Sequence, residues 1–369
     1  MTVTRHSALE SRHRALGSSL GEWNEMDVPW EYDQDVRDEH LAVRQAAGLF
    51  DVSGLKKVHI VGPDTLQVLN HVCTRDLSVV YPGRSTYALI LNEEGRITDD
   101  CIMFHISPNH MIMVHGSGTG MEQLQKSAQD KSVTITFDDD LHDISLQGPK
   151  SADFLNQHTT TDILKLKYFH HSPAVLFDHQ CLISRTGYSG ERGYEIFAKA
   201  DDIAPIWDSI LENGKAIGIR PCSFNCIDAI RVEAALLFYP YDMMEDNTPW
   251  EVGLGFAVSK KKSASYRGKE AVMQSIGKEK IRTFGIIADC DTAVDAEADI
   301  LQHGQKVGVI TAPVFSPILN KSLAMAQLHP DLAQPGIRLE IRGETVSCTA
   351  TTSEIPFLDP TKQKRSVSD

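Results

Sequence analysis

Two adjacent carboxylates, Asp99 and Asp100, stand at the head of an apolar stretch that runs to Ile106. Side chains alternate across a strand, so only one of the pair can face a given pocket. A carboxylate turned inward is costly unless it has a partner or a function, and an aspartate at a strand edge in solvent would equally account for the pair. A second dense segment reads Ser184-Arg185-Thr186-Gly187-Tyr188-Ser189-Gly190-Glu191-Arg192-Gly193-Tyr194-Glu195. Three glycines within seven positions let this backbone turn sharply and approach something closely. It matches neither a dinucleotide fingerprint nor a Walker loop, and a surface hairpin with a satisfied glutamate would equally account for it. A third segment, Phe224 to Trp250, carries Arg231 and Glu233 in a helical pattern and then Tyr239-Pro240-Tyr241-Asp242-Met243. Arg231 and Glu233 are two apart, do not face each other on a helix, and must pair with other elements. Cys222 and Cys226 form a C-x3-C spacing with no second pair, so no zinc site is expected.

These segments need elements to hold them. Asp38 to Ala47 has helical spacing, ended by Gly48. Lys57 to Val61 reads as a strand, Gly62-Pro63-Asp64 as a turn, and Thr65 to Cys73 as a helix. Strands are expected over Thr86–Leu91, Ile97–Ile106 and Met111–Val114, with a hairpin turn at Asn92–Gly95. The pattern recurs: Ile144–Leu146 precedes Gly148-Pro149, a helix covers Ser151–Gln157, and strands follow at Cys181–Arg185 and Tyr194–Ala198. Gly62-Pro63 and Gly148-Pro149 lie 86 residues apart at equivalent strand-to-helix positions, which points to a duplicated α+β unit. Helices are expected at Ile203–Asn213 and Ser223–Leu237. Lys260 to Lys262 reads as a surface break, short strands alternate with turns from Lys280, and the tail from Pro360 is expected to fray.

The chain of 369 residues allows two or three domains at roughly 100–200 residues each. Its 36 basic and 50 acidic side chains leave a net charge of −14, which argues against a nucleic-acid partner. No apolar run is long enough for a membrane span. The first sixteen residues lack the apolar core of a secretory signal. Seven scattered cysteines do not suggest a disulfide framework. A cytoplasmic location is expected.

Taken in order, these segments resemble the aminomethyltransferase family, the glycine cleavage T-protein and its tetrahydrofolate-dependent relatives. The resemblance runs from about residue 36 to about 357. It is carried by Glu39-His40-Leu41-Ala42-Val43-Arg44, Gly48-Leu49-Phe50-Asp51-Val52-Ser53, Gly95 to Asp100, Gln147-Gly148-Pro149, Arg185 to Glu195, Arg231-Val232-Glu233-Ala234 and Phe315-Ser316-Pro317. It implies an α+β fold, a three-domain cloverleaf of the T-protein type: two α+β units plus a C-terminal β-rich barrel or jelly-roll-like domain. The expected divisions are 1–55 with 140–245, 56–139 with 246–278, and 279–369.

The resemblance implies tetrahydrofolate as co-substrate and a small-molecule methyl donor, with a lipoyl-carrier protein as partner if the chain is a true T-protein. Asp100 would be the catalytic residue near the reactive nitrogens and Glu195 would hold the pterin edge. Tyr87, Val114, Tyr168, Phe169 and Tyr188 would line the folate, and no metal would be needed. Departures cluster on the donor side. Ile227 stands where the family has arginine, Gly116 where it has asparagine, and Gly54 where it has histidine; Gly116, Ile227 and Tyr239 are the substrate-side candidates. The folate site thus reads as kept and the donor site as altered. This implies transfer of a methyl group from a small methylated substrate to N5 of tetrahydrofolate. The alternatives are a glycine-cleavage aminomethyltransferase giving 5,10-methylenetetrahydrofolate and ammonia, and a non-enzymatic folate-binding protein. Folate's anionic tail would need a basic patch, for which Lys260 to Lys262 and Lys362, Lys364 and Arg365 are candidates.

Overall fold

The structure is a computed structural model that describes residues 5–366. The chain begins with α1 (Glu10–Ala15), a hairpin of β1 (Gly21–Trp23) and β2 (Met26–Val28), α2 (Val36–Gln45) and β3 (Ala47–Asp51). Gly48 does not end α2: Ala46 caps the helix, and Gly48 lies inside β3, where a Cβ would meet the Cys222 sulfur at 2.6 Å. The first sheet is built from β4 (Lys56–Val61), α3 (Thr65–Val72), β5 (Ser85–Leu91), β6 (Ile97–Ser107), β7 (His110–His115), α4 (Gly120–Ser127) and β8 (Thr134–Phe137). The second uses β9 (Leu141–Gln147), α5 (Ser151–His158), β10 (His171–Leu176), β11 (His179–Ser184), β12 (Gly193–Lys199), α6 (Ala200–Gly214) and β13 (Ile219–Pro221), and adopts β3. Then come α7 (Phe224–Glu233) and α8 (Lys269–Gln274).

The duplication read from the two Gly-Pro pairs is present. The sheet orders are β5-β6-β7-β4-β8 and β10-β11-β12-β9-β3-β13, so the unit strand–helix–three strands occurs twice with one topology. Gly62 and Gly148 both sit at positive φ (149° and 141°), and a Cβ on either would strike backbone oxygen at 2.2 or 2.6 Å, so glycine is required at both turns. Each sheet buries one face under its own helices. Val58, Ile60, Met103 and Met113 pack on Val68, Leu69 and Leu124, while Leu49, Ile144, Leu146 and Ile196 pack on Ile206, Trp207 and Ile210. The other faces meet through Phe104, Ile112, Val114 and Phe197. The segment 168–171 ties the two sheets together. Ser85 N donates to Phe169 O and His171 N to Gly83 O on one side; Phe169 N donates to Arg185 O on the other.

The last part is a closed antiparallel barrel of β14 (Arg282–Ala288), β15 (Asp299–Gln302), β16 (Gln305–Ser316), β17 (Lys321–Leu328), β18 (Arg338–Arg342) and β19 (Ser347–Ser353). Two expectations about basic segments are corrected. Lys262 is not a surface residue: it is 3% exposed and its Nζ donates to the carbonyls of Asn70, Cys73 and Arg75 at 2.7–2.8 Å, closing the end of α3. The tail is anchored through residue 365, with Lys364 Nζ 2.9 Å from Glu191 and Arg185 donating to Arg365 O. Lys262→Met is expected to lower stability by about 2–3 kcal/mol, because three charge-assisted bonds to buried carbonyls go at once; urea unfolding measures it.

Candidate active site

β6 sends its two leading carboxylates to opposite faces. Asp99 is fully buried on the helix side, where Oδ2 accepts from Gly120 N (2.8 Å) and pairs with His115 Nδ1 (2.9 Å), and Oδ1 accepts from Asp100 N (2.9 Å). Asp100 faces the other sheet, and the Tyr87 hydroxyl donates to its Oδ2 at 2.9 Å. Burial, and then the neighbouring charge of Asp99, push the Asp100 carboxyl up to about 7 against the pull of the Tyr87 bond. A group with that affinity exchanges protons freely at neutral pH.

In the second sheet, β9 and β12 turn Asp143, Ser145, Gln147 and Glu195 to the same side, with Glu195 directly opposite Ser145 in the ladder. Thr186 donates its hydroxyl to Glu195 Oε2, and burial pushes this carboxyl up to about 7. Asp143 is fully buried with neither oxygen hydrogen-bonded; burial and then the charge of Glu195 push it well above the carboxylate range. Buried Lys57, held by Ser53 O and Leu55 O at 2.7 Å each, is pulled down by burial to about 8.

The other expected residues fall into three groups. Tyr87 and Tyr188 join Asp100: Tyr87 stacks on Phe256 at 6.2 Å, and the Tyr188 hydroxyl donates to Leu236 O and Leu237 O from the glycine-rich loop. Tyr239 packs with Leu89, Leu91 and Ile97, and Leu89 pairs directly with Asp100 in the ladder. Val114 is buried between the sheets, Ile227 packs against the cluster of Val43, Phe50 and Cys222, and Gly116 follows directly on the end of β7. Tyr168 lies apart, 39% exposed, edge-on to Phe169 at 4.7 Å and lining an outer crevice with Arg185, Glu191 and Arg365. Asp143 and Lys57 were not anticipated. The signal for Asp143 was there: Asp143, Ser145 and Gln147 alternate with Ile144 and Leu146, a strand whose polar face is also buried.

Arg231 and Glu233 do act structurally. Arg231 is bound to Asp228 and Asp242, and Glu233 to His40, Arg44 and Ser316. Among the described residues Glu39, Cys222 and Cys226 bring three potential ligand atoms within 4.8 Å of one another, but Glu39 already accepts from Ser223 N and Oγ.

Two α+β sheets thus meet face to face beside a barrel, and their inner faces carry the carboxyls of Asp100, Asp143 and Glu195. The crystal structure of glycine cleavage system aminomethyltransferase T from Bartonella henselae has the same fold, with TM-score 0.88 at 24% identity over 96% of this chain and 98% of that one. Residues 9–262 match the GCVT N-terminal domain and residues 280–359 the glycine cleavage T-protein C-terminal barrel domain. The chain belongs to the aminomethyltransferase (glycine cleavage T-protein) family and is a transferase of that type. It is 47% identical, over 98% of both chains, to the heme-dependent oxidative N-demethylase gamma subunit of Ectopseudomonas mendocina. It is 33% identical to an aminomethyltransferase of Desulfitobacterium hafniense (94% of this chain, 96% of that one) and 31% to one of Streptomyces coelicolor (93% and 95%). The family is associated with tetrahydrofolate-dependent chemistry. No helix among the described residues is long and apolar enough to cross a membrane.

Proposed function

We propose that this protein passes a one-carbon unit at the oxidation level of formaldehyde, derived from an N-methyl amine, to tetrahydrofolate, giving 5,10-methylenetetrahydrofolate. Its partner would be the oxidising component of an N-demethylase. The observation that carries this reading is Asp100: half-buried, held by Tyr87, its carboxyl pushed up to about 7 by burial, on the sheet face that meets the face carrying Glu195. The similarity to an N-demethylase subunit supports an amine as the source of the carbon.

The residues fit a reduced folate. Its pterin presents adjacent N–H donors that a carboxylate can receive side by side, which suits Glu195, and Asp143 keeps an unpartnered carboxyl on the same face. Tyr87 and Tyr188 offer ring faces for a flat heterocycle. When bound, tetrahydrofolate supplies two nucleophilic nitrogens. Asp100 receives the proton those nitrogens give up and returns it to the departing group; Tyr87 fixes the carboxyl's orientation through Oδ2. The apolar walls Ile102, Val114 and Leu182 keep water from the reacting carbon.

The family relatives named aminomethyltransferase support a second donor, an aminomethyl group on a lipoyl carrier with the same folate product. Direct methyl transfer, the expectation from the altered donor side, would give 5-methyltetrahydrofolate instead. Product analysis with tetrahydrofolate separates the three. Formation of 5,10-methylenetetrahydrofolate from formaldehyde above the spontaneous rate is expected. Ammonia release from the lipoyl-bound donor would move the assignment to glycine cleavage, and 5-methyltetrahydrofolate from a methylated amine would move it to direct transfer. Glu195→Ala is expected to raise the tetrahydrofolate Kd about 10- to 100-fold, as a two-bond contact to a carboxylate is lost; calorimetric titration measures it.

A further inference from the structure

The β1–β2 hairpin turns on Asn24 and Glu25, both at positive φ (53° and 68°), the two-residue turn whose twist suits a hairpin. The tip is held firmly. Trp23 lies over Gly54, where a Cβ would come within 2.5 Å of the indole, and meets Phe224 at 5.1 Å. Arg5 donates to Asn24 O (3.0 Å) and Gly54 O (2.9 Å). The Asn24 side chain itself is otherwise: the residue is 7% exposed, yet neither Oδ1 nor Nδ2 has a hydrogen-bond partner. Enclosing an amide in this way is costly and calls for a reason.

Its surroundings supply one. The β6–β7 ladder pairs Ile102 with Val114 and Cys101 with His115, so position 116 is the next one opposite Asp100, on Asp100's face. Gly116 leaves that place without a side chain. A Cβ there would find a single neighbour within 4 Å, the Asn24 Nδ2 at 3.9 Å. The amide therefore lies next to position 116, one step beyond the Cys101–His115 pair on the ladder that carries Asp100, and is delivered from the N-terminal hairpin rather than from the strand.

We infer that Asn24 binds the oxygen of the one-carbon unit, as a donor to the carbonyl of a small aldehyde. This rests on the reading that the reactive edge of tetrahydrofolate faces Asp100. In the overall reaction formaldehyde and tetrahydrofolate give 5,10-methylenetetrahydrofolate and water. Two N–C bonds form, both C–O bonds of the carbonyl break, and the oxygen leaves as water with the two N–H protons. The Asn24 N–H steadies that oxygen as negative charge gathers on it, while Asp100 carries protons.

The test is a binding measurement. 5-Formyltetrahydrofolate carries an oxygen on its N5 carbon, and tetrahydrofolate does not. The affinity of each is measured by calorimetry for the wild type, Asn24→Gly and Asn24→Asp; glycine keeps the positive φ and aspartate keeps the shape, and thermal melts confirm folding. Both variants are expected to lose about five- to tenfold in affinity for the formyl compound, with tetrahydrofolate affinity unchanged. An unchanged ratio of the two affinities in folded variants overturns the role of Asn24 and leaves the folate reading standing. Wild-type protein that binds neither compound overturns both.

Discussion

Asp100→Asn is expected to lower kcat by about 10²- to 10⁴-fold while leaving tetrahydrofolate affinity within a few-fold of the wild type. The amide keeps the shape and can still accept from the Tyr87 hydroxyl, but it cannot take a proton. The same substitution should leave a better-folded protein in mild alkali. The folded carboxyl titrates at about 7, raised by burial and by Asp99. Between the ordinary aspartate value of about 4 and that point, the folded state holds a proton that the unfolded chain has given up. Wild-type stability therefore falls as pH rises across that window and levels off above it. Asn carries no such penalty, so the variant should be more stable by about 1–3 kcal/mol at pH 8, with the gap closing near pH 4; the lower figure allows for solvent screening of a partly open group. Urea unfolding at the two pH values reads this directly. A variant less stable than wild type at pH 8 would mean that ionised Asp100 is stabilised in place, and its role as a proton carrier near neutrality would fail.

How much of this site could be read beforehand depends on what periodicity carries. Alternation correctly sent Asp99 and Asp100 to opposite faces, and the repeated Gly-Pro turn disclosed the duplication, because both are local consequences of backbone geometry. What lies across from a face is not local. Asp143 belongs to a strand buried on both sides only because a second sheet packs over it, so its unpartnered carboxyl had no marker beyond polar alternation. Lys262, within a run of three lysines, reads as solvated; only the fold brings the carbonyls of Asn70, Cys73 and Arg75 round its ammonium group. Gly48 follows a helical pattern and so resembles a cap, yet β3 claims it because its backbone must lie against Cys222. Asn24 is the extreme case. It meets position 116 through a hairpin tip about ninety residues earlier in the chain, and nothing in either neighbourhood announces the meeting.

Glu233→Ala is expected to cost about 3–5 kcal/mol of stability, the largest structural effect of any single change considered for this chain. Its carboxylate pairs with His40 Nε2 (2.8 Å) and with Arg44 Nη2 and Nε (2.6 and 3.0 Å), and accepts from Ser316 Oγ at 2.5 Å. It thereby joins α2, α7 and the barrel strand β16 at one buried point. Arg44 also reaches Glu191 and Ser189 O in the glycine-rich loop, so losing Glu233 leaves an enclosed guanidinium with one counter-charge instead of two. That loss, more than the value of the pair, makes the change costly. Burial alone would raise the Glu233 carboxyl, but the bonds from His40 and the charge of Arg44 hold it below its ordinary value. Its contribution is thus fully present above about pH 4.5 and fades as pH falls through the lowered value, so the gap between variant and wild type should narrow in acid. The control is Glu122→Ala. It breaks a pair to Lys126 that is equally short, 2.6 Å, but has both side chains more than half exposed. Its urea midpoint should not move. If both variants shifted alike, contact distance would govern these pairs; burial governs them if only Glu233→Ala does, and the motif residues His40, Arg44 and Glu233 then serve to hold the barrel and the glycine-rich loop in place around Asp100.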